Sequence, residues 1–363
     1  MKSISIFNNK GGVGKTTLTF HLAHALASLG YKTLIIDLDP QCNLTIFGMD
    51  AERLHDIWTV EDKFIDDFAH SRDEVGHESF KEILSGVRSI HFLLKPTEDG
   101  TADLPSLPPP FKLREGLGLI PGRLTMHMYE DKIASRWSEI FQGDPLAIKT
   151  VTQIRSIAAQ YSAAYGYDFV IIDTSPSLGV MNKVVISTTD SFMIPCAPDM
   201  FSLYGIRNIG KSLTQWKKQF DTVYMLLSDE KRKIFPEKFV QFVGYTIYNS
   251  KKYTGNNKWD LAQANYHYAI QIPDTIKKYI ASELRSHLSD EMLQVPVGDK
   301  AIMHSHSTLP GMAQKYNVPI WDVPSQSLDA DDRRTILGNR ASYEQTKQNY
   351  SVFAKELVSR VSS

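Results

Sequence analysis

At 363 residues, 42% hydrophobic and 22% charged, the chain can bury a sizeable core as one large domain or two ordinary ones, and nothing in it looks disordered. A formal net charge of −1 excludes a globally basic nucleic-acid binder, so any such contact must use a local patch. The two cysteines, Cys42 and Cys196, lie too far apart for a metal-ligand spacing; they fit a reducing compartment and argue against a disulfide framework or an iron–sulfur cluster.

From Met1 the chain runs straight into a strand with no room for a signal peptide, and no apolar run approaches membrane-spanning length, so a cytoplasmic protein is expected. Residues 3–7 read as a short apolar strand, followed at once by Lys10, Gly11, Gly12, Val13, Gly14, Lys15, Thr16 and Thr17. Glycines at this spacing let successive backbone N–H groups point inward at a polyphosphate. Lys15 then supplies charge for the β- and γ-phosphates, and the Thr16 hydroxyl a ligand for Mg²⁺. A regular phosphate loop would carry glycine at position 9; here Asn9 stands there, and a second lysine, Lys10, opens the loop.

A helix is predicted over 16–29, with Leu18, Leu22, Leu26 and Leu29 on one face and Gly30 as its stop. His21 and His24 in it lack a carboxylate or Cys companion and read as a surface or packed face. Residues 33–37 form a buried, parallel-type strand that ends in Asp37, Leu38 and Asp39, which places two carboxylates at a strand tip, where open α/β sheets gather their ligands. The pattern weakens over about 50–115, where amphipathic fragments, an apolar run at 90–94 and a proline-rich stretch at 104–110 suggest an insertion or surface elaboration. Residues 116–121 return to a buried strand, followed by a helix with Met126, Tyr129 and Ile133 and another over 149–165. Residues 168–173 are a central strand ending in Asp173, the acid that orders Mg²⁺ in P-loop enzymes. Further strands are predicted at 191–195 and 239–248, the first followed by a helix and the second by Asn249. A polar, basic loop over 250–258 holds Lys251 and Lys252, and Lys231 and Arg232 form a second short basic cluster. His304 and His306 read as surface residues, and the closing helix, with Tyr350, Phe353, Leu357 and Val361, as a helix packed on the body. A further insertion is expected at about 250–300.

The loop KGGVGKTT, with DLDPQCN after the second strand and DTSPSLG after Asp173, resembles the deviant Walker A motif and companion motifs of the ParA/MinD family of P-loop ATPases. Weaker likenesses are the family's "LIPS" element near 119–121, its "FALEGL" passage near 201–206, and a last strand over 317–321. The resemblance implies an α/β fold: a mostly parallel, doubly wound sheet flanked by helices, one P-loop domain over 1–363. By it, Asp39 positions the attacking water, Asp37 helps hold the metal's water shell, and Asn249 and Pro319 border the adenine. Lys10 crosses to the nucleotide of a partner subunit, so that ATP and Mg²⁺ are enclosed in a homodimer that hydrolysis dissolves. Implied partners are non-specific DNA, met by Lys231, Arg232, Lys251 and Lys252, and a ParB-like or other activator, with nucleoid association if DNA is bound and no membrane partner. The alternatives are a MinD-like membrane-cycling ATPase, for which the C-terminal residues 355–363 make a poor amphipathic tail, and a metabolic ATPase of the same superfamily. Cys42, where the family has a small residue, reads as a buried filler.

Overall fold

The computed structural model describes residues 1–248, 250–255 and 257–362. Its sheet contains β1 (Lys2–Ile6), β2 (Thr33–Asp37), β3 (Phe111–Arg114), β4 (Leu117–Ile120), β5 (Phe169–Asp173), β6 (Ser191–Cys196) and β7 (Gln241–Ile247), in the order β3-β4-β2-β5-β1-β6-β7. Every neighbouring pair is parallel except β3 with β4. Parallel strands need helical crossovers, which cover both faces, so β2, β5 and β6 are buried along their whole length. Alternate residues serve opposite cores. Leu34 and Ile36 join the cluster with helices Met126–Arg136, Pro145–Tyr165 and Met200–Leu226. Ile35 faces the other cluster, with helices Lys15–Ser28 and Arg340–Ser362.

The chain leaves β1 for β2 on one side and meets β6 on the other, so the sheet reverses its winding beside β1 and opens a crevice at that strand's carboxyl end. Asp37 and Asp173 are register partners at the tips of the adjacent β2 and β5. The weakly patterned region holds helices Ala51–Asp66, Phe68–Ser85 and Ile90–Asp99, whose Phe64, Phe68, Phe80 and Phe92 form one aromatic cluster inside the core. The proline-rich stretch leads into β3, an edge strand, where missing N–H donors do least harm.

One expected strand is absent. Residues 317–321 form a turn and the short 3₁₀ helix Ile320–Ser325. Asn317 sits at φ 51°, Pro319 has no N–H, and the Ile320 N–H goes to the His21 ring at 3.1 Å, so this backbone cannot pair in a ladder. His21 and His24 are both buried, on a helix that is covered nearly all round, and Tyr350, Phe353, Leu357 and Val361 are buried as expected. Among the described residues no helix is long and apolar enough to cross a membrane.

Candidate functional site

The loop between β1 and helix Lys15–Ser28 is shaped by glycine where the backbone demands it. Gly12 and Gly14 stand at φ 73° and 78°, a region that side-chained residues seldom enter. At Gly14 a Cβ would also meet the Tyr248 ring at 2.3 Å, so the aromatic ring at the end of β7 lies directly on the loop. Asn8 anchors the entry: its Nδ2 donates to the Pro195 carbonyl at 2.7 Å and its Oδ1 accepts from the Lys10 N–H at 2.9 Å. Opposite, Gly205 allows close approach, since a Cβ there would lie 3.2 Å from Asn9 Oδ1.

Lys15 opens the helix and is only 7% exposed. Burial lowers its pKa, and the nearby Asp173 and Asp39 carboxylates oppose that shift. Thr16 Oγ1 donates to Asp173 Oδ2 at 2.8 Å. Asp173 Oδ1 is buried and has no partner among the described residues, and burial with Asp37 beside it holds this carboxyl well above the usual range. Asp37, also raised by burial, uses both oxygens within the chain. Its Oδ2 accepts from Thr45 N–H at 2.9 Å and Thr45 Oγ1 at 2.7 Å, and its Oδ1 from Asp39 N–H at 3.2 Å. Asp39 Oδ1 accepts from Gln41 N–H at 3.0 Å. The donor set therefore fits a Mg²⁺ ion: a hydroxyl beside an acid with an open buried oxygen, and two more carboxylates behind it. Cys42 is buried, 1% exposed, with burial pushing its thiol pKa up.

Lys10 lies apart from this set. Its ammonium pairs with Asp199 and sits 5.7 Å from the centroid of Phe201, a ring that is 65% exposed. Asp199 also caps helix Met200–Leu226, accepting from Ser202 N–H at 2.9 Å. A polar cleft of 580 Å³ opens beyond β7, lined by Lys252, Ser305, His306, Thr308, Gln345 and Asn349 among others. Asn249 lies outside the described residues. Pro319 stands beside Ile320 and His21 and does not line this cleft.

The two basic clusters flank β7 in sequence. Lys231 gives its ammonium to the Gly143 carbonyl, and Arg232 donates to the carbonyls of Tyr224 and Met225 at 3.0 and 3.1 Å, closing the end of helix Met200–Leu226. Lys251 lies 5.3 Å from the Tyr253 ring centroid, and Lys252 bridges Leu261.

Sequence reasoning missed Thr45, Tyr248 and the pairing of Asp199. An Asp immediately before a long helix is a cap signal, and it could have singled out Asp199. Nothing in strand periodicity points to Thr45, eight positions beyond Asp37.

A family model described as an AAA domain matches residues 1–87 and 114–224. An uncharacterized protein of Methanocaldococcus jannaschii is 31% identical over 208 residues, 57% of this chain and 63% of that protein. The sporulation initiation inhibitor protein Soj of Bacillus subtilis is 25% identical over 225 residues, 62% of this chain and 70% of Soj. The chain thus spans about two thirds of the length of these relatives. Among solved structures, that of pNOB8 ParA covers 99% of this chain and 98% of its own at a TM-score of 0.57 and 18% identity. The same protein bound to nonspecific DNA gives a TM-score of 0.52 at 19% identity, covering 99% and 98%. At such identity the likeness is one of fold.

Proposed function

Because this chain belongs to the ParA/MinD family of P-loop ATPases, we propose that it is an ATP-driven switch of the ParA type, working in DNA partition or cargo positioning. The observation that carries this reading is the division of labour between the two lysines. Lys15 lies buried among Asp39 and Asp173, while Lys10 stands outside, tied to Asp199.

The loop N–H groups and Lys15 hold the phosphates of ATP, and Thr16 and Asp173 hold Mg²⁺, with Asp37 behind them. The metal, when bound, neutralises phosphate charge and orients the terminal group. Asp39 positions the attacking water, and the fixed charges around it favour the transition state because they need no reorganisation. The base takes the polar cleft beyond β7, where Gln345 and Asn349 offer amide donors and acceptors. Lys10 exchanges Asp199 for the phosphates of a partner subunit's nucleotide, so two copies enclose two ATP molecules. ATP thereby stabilises the dimer by its differential affinity for that state, and hydrolysis releases it.

pNOB8 ParA, of like fold, is known bound to nonspecific DNA, and this supports DNA as a partner here. Lys251 and Lys252 are the better candidates for it, since Lys231 and Arg232 already bond carbonyls of their own chain. An activating partner protein of ParB type completes the cycle.

The test is phosphate release from ATP with and without Mg²⁺, repeated with nonspecific duplex DNA. Mg²⁺-dependent turnover should fall roughly 100-fold or more in Lys15→Ala, and DNA should co-sediment with the ATP-bound protein. Absence of any Mg²⁺-dependent turnover in the native chain would overturn the reading.

A further inference from the structure

Asn182 lies two residues into helix Val180–Thr188 and is fully buried. Its side-chain Nδ2 has three acceptors: the Ser175 carbonyl at 2.9 Å, the Ser177 carbonyl at 2.9 Å and Ser177 Oγ at 3.0 Å. The two carbonyls flank Pro176. The Ser177 N–H also donates to the Ser175 carbonyl at 2.9 Å, closing a three-residue turn around the proline, whose fixed φ suits such a turn. Pro176 in turn faces the phosphate loop, with its Cγ 4.0 Å from where a Cβ on Gly11 would stand.

One amide therefore grips both shoulders of the turn that begins two residues after Asp173 and ends against the loop of Lys10 and Lys15. Asn182 Oδ1, by contrast, is buried without a partner among the described residues. A buried acceptor left unmet is unfavourable, and an aliphatic side chain would fill the same space without that burden. The amide is kept for its donors. The far end of the same segment is held too: Met181 N–H donates to Glu130 Oε1 at 3.2 Å, so the turn hangs between two fixed points.

We infer that Asn182 is a positioning residue of the hydrolytic site: by clamping the turn around Pro176 it seats the segment after Asp173 against the phosphate loop. Loops that border the phosphate cradle are ordered or released by the terminal phosphate in P-loop switches, and a clamp on one sets how sharply it responds. The inference rests on the ATPase reading above.

Asn182→Leu and Asn182→Asp both remove the amide donors while keeping the branched outline of the side chain. Single-turnover ATP hydrolysis should fall about 10- to 100-fold in each, as expected when a reacting group is slightly misplaced. ATP affinity should stay within about twofold, because the phosphate cradle is untouched. The thermal midpoint of Asn182→Leu should change little, since the loss of these hydrogen bonds is offset by removal of the unmet acceptor, and amide exchange at Ser177 and Gly179 in the nucleotide-free protein should quicken. Pro176→Gly should reproduce the hydrolysis defect, and the double variant Asn182→Leu/Pro176→Gly should be no slower than either single one, because both act on one turn. A lower thermal midpoint with unchanged single-turnover rate would mean a merely structural role and overturn the inference. Equal rates in native and variant chains would overturn it while leaving the ATPase reading intact. Failure of the native chain to hydrolyse ATP would overturn both.

Discussion

His21 fastens the phosphate-loop helix to the C-terminal part of the chain, and acid should loosen that fastening by a calculable amount. Its Nε2 accepts the Ile320 N–H at 3.1 Å, which assigns the ring proton to Nδ1, where it is donated to the Thr17 carbonyl at 2.7 Å. Tyr350, Phe20 and Trp321 lie 5.2, 5.5 and 5.7 Å from it, ring to ring. A second proton would face the Ile320 N–H in a site closed to water. Burial chiefly pushes the His21 pKa down to about 3; the Thr17 bond opposes this and His306 adds to it. With the folded pKa below the unfolded value, stability is full above about pH 6.5 and is lost as pH falls through that value. Between pH 7 and pH 5 the loss owed to this one ring is about 2 kcal/mol. His21→Gln abolishes the titration. At pH 7 the variant should be less stable by about 1–3 kcal/mol, for two lost hydrogen bonds and poorer packing. At pH 5 the gap between native and variant should shrink by about 2 kcal/mol. Urea denaturation of both proteins at the two pH values reads this directly. Parallel pH curves for native and variant would refute the reasoning.

Two further outcomes follow from packing. Gly210→Ala should destabilise the protein by about 1–3 kcal/mol in thermal melts, because its Cβ would stand 2.2 Å from the Tyr279 carbonyl and must push helix Ile272–Tyr279 away from helix Met200–Leu226. ATP turnover at 25 °C should survive it, since neither helix region carries the phosphate loop. Glu61→Ala should cost about 3 kcal/mol in denaturant midpoints, as the buried carboxylate accepts from Ser89 N–H and Oγ, both at 2.6 Å, and pairs with Arg123 at 3.2 Å. Glu61→Gln should recover part of that loss by keeping an acceptor for Ser89.

The strands that carry the site were readable because each signal is local. Residues 33–37 and the tip at Asp173 show apolar runs that end on an acid, and the phosphate loop announces itself by glycine spacing; β2 and Asp173 fall where expected. Helix Ile90–Asp99 was obscure because its buried surface is partly charged: Lys95 pairs with Glu98 and Asp99 at 2.8 and 2.9 Å, and His91 with Glu98 at 2.9 Å. Gly76, at φ 71°, interrupts the periodicity of Phe68–Ser85. The run at 317–321 mimics a strand, but Asn317 at φ 51°, the missing N–H of Pro319 and the His21 ring that takes the Ile320 N–H across the fold together turn it. Within the site, partners distant in sequence, such as Asp199 for Lys10, depend on the folded crevice and leave no periodic trace.

As the lysine of the partner's site, Lys10 should decide whether ATP joins two copies of the chain. Light scattering on the chain with ATP and Mg²⁺, compared with ADP, measures this most directly, using Asp39→Ala to slow hydrolysis. A dimer is expected with ATP in the native and Asp39→Ala chains, a monomer with ADP, and a monomer with ATP once Lys10→Ala is introduced. An undiminished ATP-dependent dimer in Lys10→Ala would contradict it.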